Sequence, residues 1–210
     1  MTIRAKLYAA IAMTVLGPLV TIGVALQAFG ALADRFDEAS RRGSDQALAL
    51  QLKFAVTDAN GWQTAYGYDG GRSRERFVRS SDGVRRLLAE ASRTFTEPAE
   101  RVLVRRIQTS FGAFLKLDAV AYRALRAGHP ERTRQIFLGP EIDHFEAMAR
   151  AADGLAAVQA RQVAAARRAF ADERRSARQR LVAVALGAGV LIVLLLVTAQ
   201  DVARAALERR

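Results

Sequence analysis

The 210-residue chain has no cysteine, which removes disulfides, thiol catalysis, zinc-thiolate sites and cysteine-held iron-sulfur clusters together. Histidine is almost as scarce: His129 and His144 are the only two. Lysine is rare as well, since 29 of the 32 basic residues are Arg, so the positive charge is permanent at any biological pH. Strand patterns are missing, because neither β-branched runs nor strict alternation occurs. Also absent are nucleophile-and-base constellations, phosphate-cradling Gly loops and nucleotide fingerprints. No catalytic residue and no cofactor is expected, and the chain does not read as an enzyme. Net charge of +11 suits an anionic surface, but the Arg residues are interspersed with acids rather than gathered into a block, so no nucleic-acid partner is expected.

Charge itself is absent over two long stretches. No Asp, Glu, Lys or Arg occurs in the 27 residues between Lys6 and Asp34, or in the 20 between Arg180 and Asp201. A membrane-crossing helix needs about 20 apolar residues, and both stretches reach that length. The first, 7–33, contains Pro18 after Gly17, a kink that membrane helices tolerate. Ala31-Leu32-Ala33 at its end has the small-x-small form of a signal-peptide cleavage site, although the apolar run far exceeds the ~7–15 residues of a signal core. The second, 181–200, pairs Ala183 with Gly187 and Ala185 with Gly189 at the spacing that lets membrane helices approach closely.

Arg4 and Lys6 put positive charge before the first stretch, which predicts a cytoplasmic 1–6, and two crossings return 201–210 to the same side. Residues 34–180 are then extracytoplasmic in a two-pass protein of the plasma membrane, with the lipid bilayer as first partner. The flank 161–180 opposes this assignment. It carries seven Arg against Asp172 and Glu173, whereas positive residues favour the inside; long domains, however, translocate largely regardless of charge. Arg174, Arg175, Arg178 and Arg180 adjoin the second stretch and are candidates for lipid-headgroup contacts.

The central region repeats apolar residues at spacings of three and four. Leu48, Leu52, Ala55, Ala59, Trp62 and Tyr66 form one stripe, closed by Gly67, Gly70 and Gly71. Phe77, Val84, Leu88, Ala91 and Phe95 form a second, up to Thr96-Glu97-Pro98, where Thr96 is the expected cap and Pro98 opens the next helix. Leu103, Ile107, Ser110, Phe114, Leu117, Ala121 and Leu125 form a third, closed by Gly128-His129-Pro130. A fourth starts near Glu131, breaks at Gly139-Pro140, and continues through Ile142, Phe145, Ala149, Ala152, Ala156, Val163, Ala166 and Phe170 towards the second apolar stretch. Four amphipathic helices on short turns predict an all-α fold: an antiparallel up-down-up-down four-helix bundle flanked by two transmembrane helices.

The segment Asp58-Ala59-Asn60-Gly61-Trp62-Gln63-Thr64-Ala65-Tyr66-Gly67-Tyr68-Asp69-Gly70-Gly71 resembles part of the four-helix-bundle sensor domain of bacterial methyl-accepting chemotaxis receptors and related transmembrane signalling proteins. Phe137-Leu138-Gly139-Pro140-Glu141 resembles the break in the last helix of the same domains. Thr198 to Leu207 resembles the opening of a HAMP helix, with Ala205 where a Pro is expected, and the chain continues only to Arg210. What the resemblance implies is the input half of a receptor for chemotaxis or a related signal. Such a chain acts as a homodimer, senses a small extracytoplasmic ligand, and passes the signal to a separate signalling chain or to output domains beyond its own residues. The alternative is a two-span protein whose basic bundle lies in the cytoplasm and docks an anionic partner or lipid.

Within that frame Asp58, Asn60, Trp62, Tyr66 and Tyr68 are candidates for a ligand or signalling motif. Trp62 and Tyr66 sit on the apolar stripe and fit core packing better, and Asp58 and Asn60 fit a solvated edge. The clusters Arg72-Arg74-Arg76-Arg79, Arg85-Arg86 and Arg105-Arg106 could grip a carboxylate or phosphate, with Arg72, Arg76 and Arg79 the candidates for anion contacts, or else form a salt-bridged surface. Glu141-Ile142-Asp143-His144 is a Glu-x-x-His pair, the element that di-iron bundles use twice with two further Glu. His129 has no Glu three residues before it, so no metal site is expected.

Overall fold

The computed structural model describes residues 3–207; of the side chains before Thr14 and after Gln200 it describes only those of Tyr8, Ala12 and Arg204. The charges of Arg4 and Lys6, and most of the HAMP-like segment, lie outside those described side chains. The described residues form five helices and no strand: α1 Ile3–Tyr68, α2 Arg74–Thr94, α3 Pro98–Arg126, α4 Pro130–Phe137 and α5 Pro140–Leu207. They divide into two compact units, one made by Ser40–Ala165 and the other by the residues on either side of it.

The inner unit is built around residues from α1, α2, α3 and α5. Leu52, Val56 and Tyr66 of α1, Phe77 and Val84 of α2, Ile107 and Phe114 of α3, and Met148 and Leu155 of α5 are all buried in one cluster. Each turn between these helices has a local cause. Gly70 and Gly71 adopt φ of 70° and 97°, which costs a residue without a Cβ little, and the Gly71 amide returns to the Tyr66 carbonyl at 2.8 Å. Gly128, at φ 79°, lets the His129 amide bond the Ala124 carbonyl at 2.9 Å, the six-to-one closure of a Schellman cap. At the start of α3 the cap is Glu97 rather than Thr96: the Glu97 side chain accepts from the backbone three residues on, and Glu100 returns to the Glu97 amide at 3.2 Å. That reciprocal pair satisfies two amides that the helix leaves open.

The buried faces of α1 and α5 are rotated slightly from the apolar stripes. On α1 the buried set is Leu48, Ala49, Leu52, Val56, Ala59, Gln63 and Tyr66, while Ala55 and Trp62 are half-buried at its border. On α5 it is Glu141, Met148, Ala151, Ala152, Leu155, Gln159 and Val163, with Ile142 41% exposed. The physical reason is the same in both helices. Gln63, Glu141 and Gln159 occupy core positions, so a stripe traced by apolar residues alone slides to their neighbours.

In the outer unit α1 and α5 touch through small residues. Ala28 and Ala177 are buried there, a Cβ on Gly17 would stand 3.3 Å from Leu191 Cδ2, and the Phe36 and Phe170 rings lie 6.1 Å apart. Gly187 and Gly189 have open space around them instead. Both helices are long and apolar enough to cross a membrane, and almost none of their apolar stretches is buried. Pro18 lies inside α1, which runs on through Ala31–Ala33.

Gly67 is the tightest point of the inner unit, because a Cβ added there would meet the Phe137 ring at 2.5 Å. Gly67→Ala therefore forces the ring to move, and overpacking of this kind costs about 1–3 kcal/mol. Thermal unfolding of the variant in detergent should begin at a lower temperature than that of the wild type.

Candidate functional site

The inner unit buries a connected polar cluster at the end where α1 turns into α2. Asp118, 2% exposed on α3, is its centre. One of its oxygens, Oδ1, accepts from the Tyr66 hydroxyl, from Arg74 Nη1 at 2.7 Å and from Gln63 Nε2 at 3.2 Å. Gln63 also donates to Glu141 Oε1. Four helices are thereby tied together: Tyr66 and Gln63 come from α1, Arg74 from the first turn of α2, Asp118 from α3 and Glu141 from the first turn of α5.

Arg74 fits a partly buried position because aromatic rings surround it. Its guanidinium carbon lies 4.8 Å from the Tyr66 and Phe77 ring centres and 4.4 Å from that of Tyr122. A delocalised cation is held favourably over such faces. Burial opposes its charge, but the bond and charge of Asp118 outweigh burial and hold the guanidinium's proton more firmly than usual. Tyr66 is driven the other way from ionisation: burial, then the neighbouring Asp118 charge, raises its hydroxyl far above the ordinary range and keeps it a donor.

Glu141 is the strained member. It is 1% exposed, and its Oε2 has no hydrogen-bond partner. Burial pushes its carboxyl up to about 8, with the Asp118 charge adding to the rise and the Gln63 bond and Arg74 opposing it. The group is therefore mostly neutral at pH 7. Beside it opens a cavity of about 360 Å³, lined from α1 by Asn60, Gln63, Thr64, Gly67 and Tyr68, and from α4 and α5 by residues that include Thr133, Phe137, Glu141 and Phe145. Its walls mix apolar side chains with polar and charged ones in about equal measure, and a small-molecule site needs both, apolar area for burial and polar groups for orientation.

The expected motif residues divide. Asn60 and Tyr68 line the cavity, Tyr68 while 83% exposed, and Tyr66 belongs to the buried cluster. Asp58 instead accepts from Ser80 Oγ at 2.6 Å, and Trp62 lies under the Arg76 guanidinium at 4.7 Å. The three Arg residues do not converge: Arg72 donates to the Asp69 carbonyl, Arg79 pairs with Glu75 at 3.2 Å, and Arg76 rests on Trp62. In the outer unit Arg175 and Arg180 pair with Asp172 and Glu173, whereas Arg174 and Arg178 line an apolar groove with Ala28, Phe29, Leu32 and Leu181. Among the described residues no three His, Asp or Glu side chains gather as metal ligands.

Sequence patterning left out Gln63, Asp118, Thr133, Phe137 and Phe145 as site residues, and placed Arg74 only within an Arg cluster for an external anion. A usable signal existed for two of them. Gln63 stands between Ala59 and Tyr66, and Asp118 between Phe114 and Ala121, each at core spacing, and a polar side chain at such a position must find a partner. A second buried cluster follows the same logic: Glu100 accepts from Gln159 Nε2 at 2.6 Å and Gln162 Nε2 at 3.1 Å, while Arg42 donates to Gln162 Oε1 at 3.0 Å. In comparison with known proteins, the chain matches no family model, no curated protein and no solved structure.

Two neighbouring acids should respond to neutralisation with opposite signs. Asp118→Asn leaves Arg74 and Tyr66 without a buried anion, a loss on the order of 3 kcal/mol. Glu141 has a raised folded-state value, so its ionisation penalises folding increasingly as pH climbs from the ordinary carboxylate range to about 8. Glu141→Gln should therefore raise the melting temperature at pH 8 and change it little at pH 4.5. Melting curves of both variants across that window, in detergent, check the pair.

Proposed function

We propose that the chain is a membrane-anchored sensory module. In this reading Ser40–Ala165 is the core of an antiparallel up-down-up-down four-helix sensor outside the plasma membrane, akin to those of chemotaxis receptors. The apolar parts of α1 and α5 are its two membrane crossings. The observation that supports it best is the placement of the cavity: its walls come from α1 on one side and α4 and α5 on the other, and α1 and α5 are the helices that carry the apolar stretches. A ligand that changes the spacing of those walls acts directly on the two helices leading to the membrane, and small helix displacements are an established means of transmitting a signal. The signal then passes to a partner chain or output element, with a homodimer as the working assembly and Arg174 and Arg178 against lipid headgroups.

One observation favours a second reading, a cytoplasmic bundle that docks an anionic partner or membrane surface. All seven Arg between 161 and 180 are exposed, and short flanks rich in Arg favour the cytoplasmic side.

The absence of cysteine makes the two readings separable by one labelling experiment. Ala127, exposed in the turn after α3, is replaced by Cys, and intact cells are treated with a membrane-impermeant maleimide. Labelling in intact cells is the expected result. Labelling only after lysis would transfer the assignment to the cytoplasmic reading.

A further inference from the structure

We propose that the cavity beside Glu141 binds a small organic amine, whose ammonium group pairs with Glu141 Oε2 while its apolar part rests against Phe137 and Phe145. This ligand class deepens the sensory reading, yet it stands on the site alone and is tested without any signalling output.

The first support is geometric. Glu141 lines the cavity, is 1% exposed, and has one oxygen engaged by Gln63 and the other without a partner. Buried polar atoms nearly always have partners, so an unpartnered oxygen on a residue of the cavity wall marks a place for one more polar group, a donor once the carboxyl is ionised. The second support is the charge around it. The charges that act on Glu141 are Asp118 on α3 and Arg74 on α2, which are bonded to each other at 2.7 Å, with the neutral Tyr66 hydroxyl between α1 and α3. Of the charged groups lining the cavity, Arg134 on α4 is paired with Glu131 at 3.0 Å, and Glu146 on α5 with Arg150 at 2.9 Å.

An anionic ligand could accept from the neutral Glu141 carboxyl but would oppose its ionisation. A cation meets a carboxyl able to ionise and aromatic faces that attract ammonium groups. Glu141 also lies in the first turn of α5, where the helix dipole favours a negative charge. A hydroxyl ligand could accept one bond from the neutral Glu141 carboxyl but would leave Glu141 neutral, so charge is what separates an amine from its alcohol.

Proton balance follows from the same site. Burial keeps the Glu141 carboxyl raised and the amine enters as an ammonium, so forming the ion pair releases protons to solvent. The amine keeps its own proton, and no covalent bond is made or broken.

The test uses the full chain in phosphatidylcholine nanodiscs, with empty discs subtracted, and isothermal titration with phenethylamine and hexylamine. 2-Phenylethanol and 3-phenylpropanoate serve as neutral and anionic counterparts. At least one amine should bind about tenfold or more tighter than the alcohol, as expected for a charge-assisted bond of about 1.4 kcal/mol advantage, and the acid should not compete. Heats measured at pH 7 in buffers of different ionisation enthalpy should show proton release. Glu141→Gln should abolish both the amine preference and the release, while Glu90→Gln, on an exposed face of α2 outside the cavity, retains them.

Binding of neither amine, equal binding of amine and alcohol, or amine binding to the wild type without proton release would overturn the proposal. The last readout needs no variant, so it decides even if Glu141→Gln fails to fold. Amine binding with a cytoplasmic label at position 127 would leave the ligand class standing and remove the sensory reading, which keeps the two failures distinct.

Discussion

The Asp118 carboxylate is the interaction on which the inner unit's arrangement turns. It sits 2% exposed in a helix core, where an isolated charge is very costly. Three donors from two other helices meet one of its oxygens: the Tyr66 hydroxyl, the Arg74 guanidinium and the Gln63 amide. An apolar core of the same volume could be equally stable, since buried ion pairs often only offset their own desolvation. What the polar cluster adds is direction. Leu52, Ile107 and Leu155 would tolerate a helix sliding by a turn, but Tyr66, Arg74 and Asp118 meet in one register only.

Glu141 connects that rigid cluster to open space. Gln63 donates to both acids, so the state of Glu141 is coupled to the group that anchors α1 to α3. With its second oxygen unpartnered and its carboxyl raised to about 8, Glu141 is a buried acid held in its less common form. A partner that supplies a positive charge would relieve that condition.

The larger elements were legible in the sequence. Two uncharged stretches, the Gly and Pro punctuation, and the spacing of apolar residues are sufficient to place helices, because helix period and chain breakers act locally. The break at Gly139-Pro140 falls between α4 and α5, and Gly128 closes α3 as expected. The helix faces were less legible. Apolar residues alone traced Trp62 and Ile142 as core, whereas Gln63 and Glu141 occupy those positions. A buried polar residue carries no mark of its burial in a single sequence, because its partner lies on another helix.

By itself, the sequence determined that the chain is helical, that two of its helices have membrane-crossing length, and that its chemistry excludes thiols. Each of these depends on composition or on neighbours within a few residues. The tertiary structure decided which of 29 Arg residues meets a buried carboxylate, that Arg72, Arg76 and Arg79 point to separate partners, and that Glu141 stands at a cavity with one oxygen unanswered. Asp118 lies 44 residues from Arg74 and 52 from Tyr66, and Glu141 lies 78 from Gln63. Contacts across such separations arise only when helices pack, since hydrophobic burial fixes which faces meet and the polar residues on those faces must then satisfy one another.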